Sequence, residues 1–127
     1  MLLNVSISLG ELLDKISILL IKEKQINNSQ KQIHIKEELS LLNDALEKSI
    51  QRELVKEYII ELVNINTKLW NIEDEIRNCE KIKKFDKKFI DLARSVYLTN
   101  DIRSEIKLKI NKKFGSKLVE VKSYEKY

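Results

Sequence analysis

Three stretches of this sequence concentrate side chains that can hold or move charge. Arg94, Tyr97 and Asp101 recur at i, i+3 and i+7, with Asn100, Arg103, Lys107 and Asn111 in a second polar row beside them. Trp70, Glu73, Asp74 and Arg77 follow a similar spacing of i, i+3, i+4 and i+7. On a helix, residues three, four and seven apart share one face, so each row presents its groups together. Glu11, Asp14 and Lys15 form a smaller group near the start of the chain.

These residue types allow three kinds of chemistry. Arg77, Arg94 and Arg103 can bind an anion through paired N–H donors, with Tyr97 and Asn100 adding hydrogen bonds and the carboxylates holding the guanidinium groups in place. Glu73 and Asp74 offer oxygen ligands to a divalent cation and so suggest a small metal-dependent hydrolase or transferase, although the neighbouring arginines disfavour a metal. The third possibility is purely structural. Glu73 or Asp74 would pair with Arg94, and Asp101 with Arg77 or Arg103, fixing helix register, because a buried charge must be paired or meet water. Trp70 reads as a core or rim aromatic, His34 as an isolated side chain, and Cys79 as a small member of an apolar seam.

The elements that position these groups are helical. Leu9, Leu12, Leu13, Ile16, Leu19 and Leu20 predict a first helix ending near Gln25. Ser8 and Glu11 have the spacing of a capping box at its start. Ser29 is the expected cap of a second helix carrying Ile35, Leu39, Leu42 and Leu46. The apolar phase slips between residues 47 and 53, where a turn is expected. Leu62, Ile65, Leu69, Ile72, Ile76 and Cys79 step by three and four, the seam of a third helix packed on another. Asp86 caps a fourth helix, and Gly115 suits its C-terminal end. Residues 2–7 alternate polar and apolar, and the tail around Leu118, Val119 and Val121 is also extended; the two are expected to pair.

Composition narrows the classes of function. The 127 residues are 43% hydrophobic and 35% charged, with two glycines and no proline. That is enough apolar material for a core, and too few turn residues for a β-sandwich or barrel. Two glycines cannot build a glycine-rich phosphate loop, and one cysteine with one histidine excludes an intrachain disulfide and the common zinc sites. The longest apolar run, Ile18 to Ile21, is far too short to span a bilayer. Residues 1–80 carry 10 basic against 14 acidic side chains, whereas residues 81–127 carry 14 against 6. Aromatic residues do not alternate with the basic ones, so a nucleic-acid platform is not expected. The expectation is a single cytoplasmic all-α domain over residues 1–127: three to five helices in an antiparallel bundle or long hairpin, with short extended ends.

The segments Ser8–Lys15, Leu69–Arg77 and Ala93–Arg103, with Lys107, Asn111 and the closing Leu118–Tyr124, resemble a bacterial family of small helical proteins of unknown function. Members of that family occur beside, or fused to, glycosyltransferases and other surface-polysaccharide proteins. The resemblance implies that context and supplies no catalytic residue. Combined with the polar rows, it suggests an accessory or binding module in surface-glycan assembly. Its interhelical cleft would take a phosphorylated sugar or nucleotide sugar through Trp70, Glu73, Asp74, Arg77, Arg94, Tyr97, Asn100, Asp101, Arg103 and Lys107. A glycosyltransferase is the expected partner. No cofactor or bound metal is expected. The structural alternative is a homodimer joined through the helical seam.

Overall fold

The fold is all-α, a bundle of four helices described over residues 1–127 in a computed structural model. Helix α1 spans Leu9–Gln25, α2 Ser29–Ser49, α3 Arg52–Lys81 and α4 Lys87–Lys113. Each start has a local cause. The Glu11 N–H donates to Ser8 Oγ at 3.1 Å, and the Phe89 N–H donates to Asp86 Oδ1 at 3.4 Å. Helix α2 is capped by Asn28, whose Oδ1 accepts from the Lys31 N–H at 3.0 Å. The expected cap, Ser29, is instead the first helical residue. The turn anticipated between residues 47 and 53 is the short break at Ile50 and Gln51. Helix α4 closes where Gly115 adopts φ 66° and the Ser116 N–H reaches back to the Asn111 carbonyl at 2.9 Å.

Helix α1 is the centre of the bundle, packing against each of the other three, while α3 and α4 pack on each other along the longest contact. Leu13, Ile16, Leu46, Val55, Leu62 and Ile110 are the most deeply buried apolar side chains of the resulting core. Burying each contributes about 1.5–3 kcal/mol. Rising residue number on α1 meets falling number on α4: Gly10 faces Asn111, and Asp14 faces Arg103. These two helices therefore run in opposite directions. Continued one residue for one, those pairs bring the end of α1 level with residues 92–96 of α4. The α3–α4 hairpin, whose longer arm is about 45 Å, extends past it.

The two chain ends do not pair. No backbone hydrogen bond joins residues 2–7 to the tail, and neither segment is a strand. The tail turns back along α4 instead, held by side chains. No helix is long and apolar enough to cross a membrane.

Candidate functional site

The polar rows separate into two structures, a partly buried seam between α1 and α4 and an open cleft beside it. In the seam Asp14 is 1% exposed. Its Oδ1 accepts from Arg103 Nε at 2.9 Å and from Asn66 Nδ2 at 2.9 Å, and its Oδ2 accepts from Arg103 Nη2. Asn66 Nδ2 also donates to Ser17 Oγ at 2.8 Å, whose hydroxyl donates to the Asp14 carbonyl at 2.7 Å. One turn along α4, the Lys107 ammonium lies 2.8 Å from Glu11, 3.3 Å from Glu120 and 4.0 Å from Asp14. A turn further on, Asn111 Oδ1 accepts from the Gly10 N–H at 2.7 Å. No buried side-chain polar atom is left without a partner.

The expected capping box is therefore only half present. Ser8 caps as anticipated, but Glu11 is drawn to Lys107 rather than to its own helix end. The anticipated ion pairs also change partners, because α1 lies closer to Arg103 than the acids of α3 do. Arg103 pairs with Asp14. Arg77 pairs with Glu73 on its own helix at 3.6 Å, and Asp101 accepts from the Tyr127 hydroxyl.

The charges inside the seam sustain one another. The bond to Asp14 raises the Arg103 pKa against the opposing effect of burial. For Lys107 burial pulls the pKa down, but the bond to Glu11 and the charges of Asp14 and Glu11 outweigh it and leave the ammonium raised.

The cleft lies between the C-terminal part of α1, the middle of α3 and the first half of α4, with a volume of about 860 Å³. Ile18, Ile21, Leu69 and Val96 supply apolar wall, and Trp70, Tyr97, Tyr124 and Tyr127 supply aromatic surface. Asn66, Asn100, Arg103, Glu73, Asp74, Arg77, Asp101 and Glu125 carry its polar groups. Eight of the ten residues expected at the site thus line one space. Arg94 does not: it is exposed on α4, outside the cleft lining. Lys107 does not either, because its ammonium is enclosed by the acids of the seam.

Arg103 belongs to both structures. Two of its nitrogens hold Asp14, and Nη1 donates to Asn100 Oδ1 at 3.4 Å on the cleft side. Glu73 and Asp74 are neighbours on the cleft wall, but no three His, Cys, Asp or Glu side chains come together as a metal-holding group.

The tail contributes to the site in a way the sequence did not signal. Tyr127 stacks edge-on against Tyr97 with ring centroids 5.3 Å apart. The bond to Asp101 holds its phenol above the ordinary tyrosine range, since ionisation would set two negative charges side by side. Upstream, Glu120 is bonded to Lys122 at 2.6 Å as well as to Lys107. The Lys122 bond, with Lys107 adding to it, keeps the Glu120 carboxyl below the ordinary glutamate range. A group with a depressed folded pKa contributes stability above its unfolded value and loses it as pH falls through the folded one. The Lys122 bond lies within the tail, so only the Lys107 contact ties this effect to docking, and protonating Glu120 in acid should weaken that contact. The stability difference between the parent and Glu120→Gln is therefore expected at neutral pH and should vanish by about pH 3. Equal melting temperatures of the two at neutral pH would show that Glu120 does not hold the tail.

Compared with protein-family models, with curated proteins and with solved structures, the chain gives no match.

Proposed function

We propose that the protein is a small-molecule-binding module whose cleft holds a sugar-bearing ligand, acting as an accessory component of surface-glycan assembly beside a glycosyltransferase. The cleft itself carries this reading: it combines apolar wall and the ring faces of Trp70 and Tyr97 with the acceptors Asn100, Asp101 and Asp74. Such pockets fix a ligand by stacking its less polar face and receiving its hydroxyl hydrogens on a few placed oxygens. The glycan context rests on the sequence resemblance alone.

The sugar half of a sugar phosphate or nucleotide sugar has the stronger support. Of the three arginines expected at a phosphate, Arg94 lies elsewhere, Arg77 is matched by Glu73, and Arg103 by Asp14. A phosphate would depend on the guanidinium hydrogens that Arg103 has left over and on Arg77 exchanging partners. A second reading, a scaffold without a ligand, is favoured by the seam, which accounts for Gly10, Asp14, Lys107 and Asn111 through folding alone.

Trp70 is the only tryptophan and lines the cleft, so its fluorescence reports occupancy without a label. Titration with neutral glycosides, amino sugars, sugar phosphates and nucleotide sugars is expected to shift its emission for at least one class. Asp101→Asn, which weakens an acceptor while leaving the emission intact, should reduce that affinity by about tenfold, or about 1.4 kcal/mol. If no class shifts the emission or the melting temperature at millimolar concentration, the scaffold reading stands.

A further inference from the structure

The turn joining α3 to α4 carries an unusual surface that the cleft does not use. Within residues 81–90, Lys81, Lys83, Lys84, Lys87 and Lys88 are all exposed. Among them Ile82 is 58% exposed, Phe85 51% and Ile90 54%. Phe85 is held edge-on against Phe89, with ring centroids 5.1 Å apart, so this aromatic pair is fixed among the exposed apolar side chains. Acidic neighbours offset part of the charge: Glu80 pairs with Lys83 at 2.8 Å, Asp91 with Lys87 at 3.1 Å, and Asp86 lies 4.0 Å from Lys84. Lys81 and Lys88 remain unmatched, and the tip is net positive.

This cluster stands at the convex end of a two-helix projection. The register of α1 against α4 leaves the tip beyond the end of α1, and the tail reaches back as far as Tyr97. The tip joins exposed apolar side chains to a net positive charge. Its apolar side chains would gain nothing on a phosphodiester backbone, which rewards charge and stacking. They do gain where hydrocarbon lies just beneath a layer of negative charge.

We infer that the α3–α4 tip is a docking surface for an anionic lipid bilayer, with Ile82, Phe85 and Ile90 entering the headgroup layer and the surrounding lysines meeting lipid phosphates. This is surface attachment and involves no spanning segment. Each lysine near an anionic surface strengthens binding by about fivefold, or about 1 kcal/mol. A single small tip therefore gives salt-sensitive, reversible attachment.

Co-sedimentation of the full chain with phosphatidylcholine vesicles, with and without about one-third phosphatidylglycerol, tests this directly. Binding is expected on the anionic vesicles, decreasing with salt, and little on the neutral ones. The charge reversal Lys84→Glu with Lys88→Glu should weaken it at least tenfold, and Phe85→Ser by about tenfold. Both variants alter exposed side chains outside the core, so their unfolding midpoints should match the parent, which separates lost docking from lost fold. The inference is overturned if anionic vesicles do not bind at low salt, or if Phe85→Ser binds as well as the parent. It is also overturned if heparin or RNA binds more tightly than the anionic vesicles, since the partner would then be a soluble polyanion. None of these outcomes depends on a ligand in the cleft.

Discussion

Replacing Asp14 with alanine should destabilise the fold by about 3–5 kcal/mol. A typical domain holds only about 5–15 kcal/mol in total. The reason is what the carboxylate leaves behind. Arg103 would lose both of its Asp14 bonds, Asn66 one of its two acceptors, and Lys107 one of three nearby negative charges, all in or beside an enclosed seam. An uncompensated buried charge costs far more than the pair gained when it formed. The double change Asp14→Leu with Arg103→Met removes the charges together and should recover most of the loss. Urea unfolding measures both, with the midpoint falling and the slope unchanged if the unfolded state is unaffected. A loss below about 1 kcal/mol in Asp14→Ala would mean that water reaches the seam and screens it.

Gly10→Ala should cost about 1–3 kcal/mol, although alanine is the better helix former by about 0.5–1 kcal/mol. A β-carbon at residue 10 would lie 2.6 Å from the Lys107 carbonyl oxygen and 2.9 Å from Asn111 Oδ1. The first is main chain and cannot swing aside, so α1 and α4 must separate. Separation stretches the Gly10–Asn111 bond and the Glu11–Lys107 pair one turn away. A thermal melt of Gly10→Ala that matched or exceeded the parent would show that the close approach of the two helices is not needed.

The helices were legible because their signals are local. Periodic leucines and isoleucines marked α1 through α3, and the cap at Asp86 with Gly115 delimited α4. The cleft was largely legible too, since Trp70, Glu73, Asp74 and Arg77 flank the seam of α3 while Tyr97, Asn100 and Asp101 interrupt that of α4. What failed was the choice of partner. Nothing within α3 or α4 says that Arg103 turns to Asp14 of α1, because partner choice depends on which helices become neighbours. One signal was present: Gly10 and Asp14 step by four on α1, and Arg103, Lys107 and Asn111 step by four on α4. Matching steps of four suit helices whose ridges interlock. The tail had no period to read, so Tyr124 and Tyr127 at the cleft went unanticipated.

Arg103 stands with one edge in the seam and the other toward the cleft. Recognition and folding therefore share a single side chain, and no substitution there can change one without the other. A combinatorial library meant to retune what the cleft accepts should hold Arg103 constant and diversify Trp70, Asp74 and Tyr97, where losses of binding can be scored free of collapse.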